Sequence, residues 1–227
     1  MKAVIDVTGT VLKTLRLTLR PFEQSDLQDF YAYARVDGVG QMAGWIPHRN
    51  IEETQVILNH FLKDRNNFAV VENGRTIGSI GLNPYSAEYF PQYDSLRVTD
   101  IGYVLAKDRW GNGLMPEAAG AVLKWVFEEK KIDVVICGNF VSNPQSGRVK
   151  EKLGFHDVLM HPMHTRAGRD EICREGILTK EEWFRRYTEN GDFDGRKEQD
   201  QSPASGGSDE GKAADHCPGH VPYKDAG

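Results

Sequence analysis

Gly111 and Gly113 stand one residue apart in Asp108-Arg109-Trp110-Gly111-Asn112-Gly113-Leu114-Met115-Pro116-Glu117-Ala118. An apolar run, Asp100–Ala106, precedes them and a strongly periodic helical pattern follows. A strand, a glycine turn and a helix start together present bare backbone N–H groups to an anion. Glycine has no Cβ, so a phosphate oxygen can approach the backbone closely and unusual φ values cost little. The helix N-terminus adds unpaired donors and roughly half a positive charge. The pattern predicts a phosphate-bearing ligand. It lacks the Gly-Lys-Ser/Thr ending of a P-loop, and the Gly111–Gly113 pair is too short for a dinucleotide fingerprint.

The elements that must hold this turn can be read along the chain. Leu12–Arg20 alternates apolar and polar residues from Leu15 on, as a half-buried strand does, and Pro21 ends it. Ser25-Asp26 caps a helix to about Arg35, with Leu27, Phe30, Tyr31 and Ala34 on one face. A second helix spans about Glu52 to Lys63, with Val56, Ile57, Phe61 and Leu62 apolar. Phe68–Val71 and Thr76–Leu82 flank Asn73-Gly74, a hairpin signal.

Beyond the glycine turn, Leu114, Ala118, Ala121, Val122, Trp125 and Val126 share one helical face, with Pro116 harmless in the first turn. Asp133–Gly138 reads as a short strand. Asn143 caps a helix whose first residue is Pro144 and whose terminator is Gly154, with Val149 and Leu153 facing inward. Strands follow at Phe155–Met160 and Glu171–Leu178, then a short helix at Lys180–Tyr187. Residues 188–227, rich in Gly, Ser, Asp and Glu, read as a disordered acidic tail.

Composition narrows the function classes. The net charge of −5 is carried entirely from Glu189 on, where acids outnumber bases nine to four. The remainder is formally neutral, which argues against nucleic acid as a partner. No apolar run reaches the ~20 residues of a membrane span, and Met1–Asp6 lacks the apolar core of a secretory signal. The three cysteines, Cys137, Cys173 and Cys217, are too few and scattered for a disulfide scaffold or zinc ribbon, so a reduced, cytoplasmic setting is expected. His161 and His164 have no nearby set of further ligands, and no metal is expected. The His216–His220 stretch reads as linker.

Three pieces recur in order: Asp100-Ile101-Gly102-Tyr103; Trp110–Met115 with Glu117-Ala118; and Asn143–Ser146 closing on Glu151-Lys152-Leu153-Gly154-Phe155. In this combination the chain resembles the GNAT superfamily of N-acetyltransferases, in particular its RimJ/RimL-like branch, over about residues 11–185. The superfamily turn places Gln or Arg at position 110, Gly at 113 and Gly or Ala at 115. Here Gly113 matches, Trp110 replaces the polar residue and Met115 the small one, with Arg109 supplying charge next door.

The resemblance implies an α/β fold: a single GNAT-like domain at 11–187 with a central mixed, mostly antiparallel sheet flanked by helices, plus the tail at 188–227. It implies acetyl-CoA as co-substrate, with its pyrophosphate on the N–H groups of Arg109, Trp110, Gly111, Asn112, Gly113, Leu114 and Met115. The pantetheine arm would lie along Tyr103, Val104 and Leu105, with a further bond from Asn143 and contact with Ser146. A strand N–H is also a plausible oxyanion donor. Asp100, where relatives often carry Glu, is the candidate general base through a water, with starting the strand at the surface as its alternative role. Ser146 is the expected proton donor to the leaving sulfur, with backbone bonding as its alternative role.

Amine chemistry favours one acceptor. An α-amine with pKa ~8 is ~10% neutral at pH 7, whereas a lysine at ~10.4 is below ~0.1%. A protein or peptide N-terminus is therefore the favoured acceptor; a polyamine, amino acid or aminoglycoside stays open. Transfer is expected to be direct, because no cysteine sits in an acyl-enzyme motif, and Cys137 reads as buried and inert. Trp45 and His48, in Gln41–His48, could line the acceptor cleft or pack within their loop, and Tyr85–Tyr93 could form a loop over it. The rival reading is an acyl-CoA-binding module without turnover. The sequence does not fix the oligomeric state, a homodimer included.

Overall fold

A computed structural model describes residues 3–190. Most of the expected acidic tail, including His216–His220 and Cys217, lies outside the described residues.

Among the described residues, eight strands form one sheet, in the order β1-β2-β3-β4-β5-β6-β8-β7. They are β1 (Leu12–Lys13), β2 (Thr18–Pro21), β3 (Asn67–Glu72), β4 (Arg75–Asn83), β5 (Val98–Leu105), β6 (Val134–Phe140), β7 (His156–His164) and β8 (Asp170–Thr179). The helices are α1 (Leu27–Ala34), α2 (Ile51–Asp64), α3 (Leu114–Glu128), α4 (Pro144–Leu153) and α5 (Lys180–Asn190). Every neighbouring pair of strands is antiparallel except β5 and β6. This is the mixed, mostly antiparallel sheet flanked by helices that the resemblance implies.

The parallel pair creates the site. β5 and β6 are in register only at Val98↔Val134, Thr99↔Val135 and Asp100↔Ile136. Past Asp100 they part, although β5 stays paired with β4 as far as Gly78↔Leu105. The β6-side edge of β5 from Ile101 to Leu105 is thus left without a strand partner, which in a folded sheet is unusual because backbone donors and acceptors need satisfying.

Helix starts follow local chemistry. Asn50 accepts the Glu53 N–H at 2.9 Å to cap α2, and Asn143 accepts the Ser146 N–H at 3.1 Å to cap α4. Gly154 ends α4 with φ +93°. The Asn73-Gly74 turn has φ of +49° and +77°, the hairpin geometry its sequence predicts.

Local expectations fail where tertiary contacts outweigh periodicity. The expected strand over Leu12–Arg20 breaks into β1 and β2. Between them the chain turns, with Thr14 N–H donating to Leu17 O at 2.9 Å and Leu15 exposed. Glu117 of α3 holds the turn, accepting from Thr14 Oγ1 at 2.6 Å and from Arg16 N–H at 2.9 Å. In α1 it is Tyr33 that is buried, whereas Tyr31 is only half-buried. In α2 Leu58 is buried and Val56 exposed.

Asp26 does not cap α1 with its side chain. It is buried and binds the Arg20 guanidinium at 2.7 and 2.8 Å, the Thr76 hydroxyl at 2.6 Å and the Glu23 N–H at 2.7 Å. The packed body also reaches past the expected start at residue 11. Ala3, Ile5 and Val7 are buried, and Ala3 N–H donates to Val98 O at 3.1 Å. At the other end α5 continues to Asn190, beyond the expected boundary at 187. Among the described residues, no helix is long and apolar enough to cross a membrane.

Candidate active site

A cavity of about 420 Å³ opens where β5 and β6 part. One wall is β5 from Asp100 to Leu105, and the opposite wall is β6 at Gly138–Phe140. The turn before α3 and the first turns of α3 and α4 complete its rim.

The glycine turn has the backbone that its composition predicts. Gly111 has φ +79° and Gly113 φ +72°. Gly113 is also the residue before the first turn of α3, whose leading N–H groups have no partner within the helix. A β-carbon at Gly111 would meet nothing within 4 Å, and one at Gly113 only an Arg16 nitrogen at 3.7 Å. Glycine here serves conformation and leaves room for a ligand.

Trp110 explains the departure from Gln or Arg at that position. Its indole Nε1–H donates to Leu105 O at 2.8 Å, tying the turn to the end of β5. Arg109 lines the cavity and pairs with Glu72 at 3.3 Å. Arg16 brings a second positive charge to the turn. Its Nη1 donates to Asn112 O at 2.9 Å, and its guanidinium pairs with Glu117 at 2.6 Å. Sequence reasoning missed Arg16, because a contact spanning 96 positions leaves no local signal.

Of the residues expected to hold the cofactor, Tyr103, Val104, Leu105, Arg109, Trp110, Gly111, Gly113, Leu114, Met115, Asn143 and Ser146 line the cavity, and Asn112 does not. The Asn112 amide instead donates to Arg109 O and Trp110 O, both at 3.3 Å, bracing the turn.

Asn143 has both ends of its amide engaged, with Oδ1 on the α4 cap and Nδ2 donating to Met42 O at 3.1 Å. One N–H of Nδ2 and one lone pair of Oδ1 remain for the further bond expected from this side chain. Tyr103 is half-buried, and its hydroxyl lies 3.0 Å from Ser146 Oγ and donates to Ser146 O at 3.2 Å. Burial pushes this phenol well above its ordinary value, and the neighbouring Cys137 thiol adds to the effect. It stays protonated and able to donate.

Asp100 also lines the cavity. Part of its surface faces that space, yet the dense protein around it pushes its carboxyl up to about 7, with the Glu175 negative charge reinforcing the shift. Cys137 is buried, and burial followed by the Asp100 charge raises its thiol to about 12, so it stays protonated and unreactive.

On the acceptor side, the packing alternative holds for Trp45 and His48. From the loop after α1 it is Val39, Met42 and Ala43 that line the cavity. His48 is hydrogen-bonded to Thr54 at 2.8 Å, and its ring packs on Trp45 and Phe30 with centroids 5.1 and 5.6 Å apart. Both Trp45 and His48 thus serve loop packing. Tyr85 and Phe90 are buried in a second apolar cluster with Val98, Val134, Ile136 and Ile177 and do not line the cavity, whereas Tyr89 of the same loop stacks on His161 with centroids 4.0 Å apart.

His161 does have neighbours with ligand chemistry. Its Nε2 is 3.1 Å from Glu175 Oε1, and Cys173 lies beside the same carboxylate. The strand order β6-β8-β7 assembles this group, and nothing in residue spacing announces it.

These features agree with the comparisons. A family model described as an acetyltransferase (GNAT) domain matches residues 16–156, more than half of the chain. The chain belongs to the GNAT acetyltransferase family. YkkB of Bacillus subtilis (strain 168), a protein described as uncharacterized, is 35% identical over 83 residues, which is 37% of this chain and 45% of YkkB. The chain thus matches less than half the length of that curated relative.

Among solved structures, Mycobacterium smegmatis RimJ in complex with CoA-disulfide has a TM-score of 0.66 at 17% identity, over 81% of this chain and 96% of that one. Spermidine N-acetyltransferase from Vibrio cholerae, in complex with CoA and spermine, has a TM-score of 0.62 at 18% identity, over 74% and 98%. At such identities these two likenesses speak for the fold alone.

Proposed function

We propose that this GNAT protein is an N-acetyltransferase that moves an acetyl group from acetyl-CoA to a primary amine. The favoured acceptor is a protein N-terminal α-amine, as in the RimJ/RimL-like branch. The observation that carries the reading is the parting of β5 from β6 directly beside the Gly111–Gly113 turn, with Asp100 and Ser146 lining the same space.

The residues fit the co-substrate. Unpaired N–H groups at the start of α3, with Arg109 and Arg16 nearby, suit a pyrophosphate. The open edge of β5 offers backbone donors and acceptors to the amide groups of a pantetheine arm, and one of its N–H groups suits the acyl oxygen. Asp100, partly protonated near neutrality, is the base that takes a proton from the acceptor through water. Ser146, held by Tyr103 at 3.0 Å, donates to the departing sulfur. No cysteine takes part.

The spermidine N-acetyltransferase likeness keeps a polyamine as the second reading for the acceptor. The test is CoASH release with N-terminal peptides, polyamines, amino acids and aminoglycosides. The proposal expects release well above background with at least one class, and peptides ahead of polyamines. Binding of acetyl-CoA with no release from any amine would leave a binding module without turnover.

A further inference from the structure

Glu175 is a second carboxylate in the cavity, and the steps above leave it unused. It lies on β8, two positions from Cys173 and in register with Gly138 of β6. Only 8% of the residue is exposed. Its Oε1 accepts from Cys173 Sγ–H at 3.2 Å and lies 3.1 Å from His161 Nε2. Its Oε2 is buried with no hydrogen-bond partner among the described residues.

Gly138 makes this placement possible, because a β-carbon there would sit 2.8 Å from Oε2 and 3.0 Å from Oε1. Glu175, Gly138 and Asp100 all line the same cavity. A buried carboxylate oxygen without a donor is costly, and the cost is removed when a donor arrives. A primary ammonium is a donor of the right charge, with three N–H groups to share among the groups around it.

Resting on the acetyl-transfer reading, we propose that Glu175 Oε2 is the docking point for the acceptor's ammonium group, so that the acceptor is selected as a cation. His161 and Cys173 are positioning residues that hold Oε1, leaving Oε2 as the oxygen that turns to the ammonium in the cavity that Glu175 lines. In the transfer, one proton leaves the docked ammonium for Asp100 through water. The nitrogen lone pair then forms the N–C bond as the C–S bond breaks, and a second N–H proton reaches the sulfur through Ser146. The products are the amide, CoASH and one proton returned to solvent from Asp100.

His161, Cys173 and Glu175 are also donor types that a zinc ion uses. Geometry favours the ammonium. Cys173 spends its thiol proton on Oε1, and His161 directs Nε2 to the same atom, so the group is already closed on itself apart from Oε2.

The test compares a serine-initiated tripeptide and spermidine, both ammonium ions at pH 7, with hydroxylamine, which is neutral there. Acetyl-CoA is saturating throughout. Glu175→Gln keeps the shape and removes the charge. It is expected to raise KM about 10- to 100-fold for the ammonium acceptor that the wild type uses, the range for a lost charged hydrogen bond. The effect on hydroxylamine is expected to be at least about ten-fold smaller, and acetyl-CoA affinity to hold. Gly138→Ala, which keeps the charge but forces the carboxylate to move, should shift KM in the same direction. Equal losses with all acceptors, an unchanged KM, or a wild type that uses hydroxylamine and neither ammonium would overturn the inference while leaving the transferase reading intact. Stoichiometric zinc in the purified protein, with chelation reproducing the loss, would overturn it in favour of a metal site. No CoASH release from any of the three would remove the transferase reading and this inference with it.

Discussion

The hydroxyls of Tyr103 and Ser146 lie 3.0 Å apart, joining the open edge of β5 to the first turn of α4. Neither side chain is positioned by its sequence neighbours alone, since 43 positions separate them. The Asn143 cap fixes Ser146 at the start of α4, and the sheet register turns Tyr103 toward it.

This pair should act as one proton-donating unit. Ser146→Ala and Tyr103→Phe are each expected to lower kcat about 100-fold, at the modest end of general-acid contributions. The double variant should lose little more than the worse single one, because coupled groups are not additive. Steady-state CoASH release on all three variants checks this. Full additivity would mean that the hydroxyls act separately.

Asp100 links activity and stability to pH. With its carboxyl raised to about 7, chiefly by burial and then by the Glu175 charge, the rate should climb as pH rises through that value. Asp100→Asn should remove that limb and most of the rate. For stability the sign is opposite. The folded value lies above the ordinary 3.8, so the neutral carboxyl is well accommodated at low pH, and stability falls as pH rises from about 4 through 7. The ceiling is roughly 4 kcal/mol, lowered by water in the cavity. Asp100→Asn should therefore melt higher than wild type at pH 8 and close to it at pH 4. Equal differences at both values would contradict this.

Asp26 behaves in the opposite way. Burial works to raise its carboxyl, but the Arg20, Thr76 and Glu23 donors win and hold it below the usual carboxylate range. Its contribution to stability is complete above about 4 and is lost as pH falls through the lowered folded value. Removing one partner of a buried, hydrogen-bonded ion pair costs about 3–5 kcal/mol, and Arg20 keeps 22% of its side chain exposed, which softens the loss. Asp26→Ala is expected to destabilise by about 2–4 kcal/mol at pH 7 and by much less at pH 2. Urea unfolding at the two values tests it.

The glycine turn separates conformation from contact. At φ +79° and +72°, Gly111→Val and Gly113→Val should each cost about 1–3 kcal/mol in backbone strain. Gly111 has open space at its β-carbon position, so the strain there is not aggravated by a clash. Acetyl-CoA should weaken about ten-fold or more, since a reshaped turn no longer aims its N–H groups together. Ligand-induced shifts in melting temperature report both effects. A normal shift in both variants would mean that the turn does not hold the co-substrate.

Much of this was legible in the sequence because it depends on local rules. The Asn73-Gly74 hairpin, the Asn143 cap with Pro144 behind it, the Gly154 terminator and the Gly111–Gly113 turn are all specified within a few residues. What escaped depends on register and strand order. Glu175 reaches the cavity only because β8 inserts between β6 and β7 and because Gly138 opposite it has no side chain. Arg16 reaches the turn only because Glu117 pins the β1–β2 connection. Trp45 and His48, attractive on residue type, lost the cavity to Val39, Met42 and Ala43 because stacking on Phe30 and the bond to Thr54 turned His48 inward.

Calorimetric titration of the folded protein with acetyl-CoA tests the central claim most directly. The account predicts one site per chain with an affinity in the roughly micromolar range, about −8 kcal/mol, weakened in the two valine variants of the turn. An absence of binding heat at millimolar acetyl-CoA would contradict it.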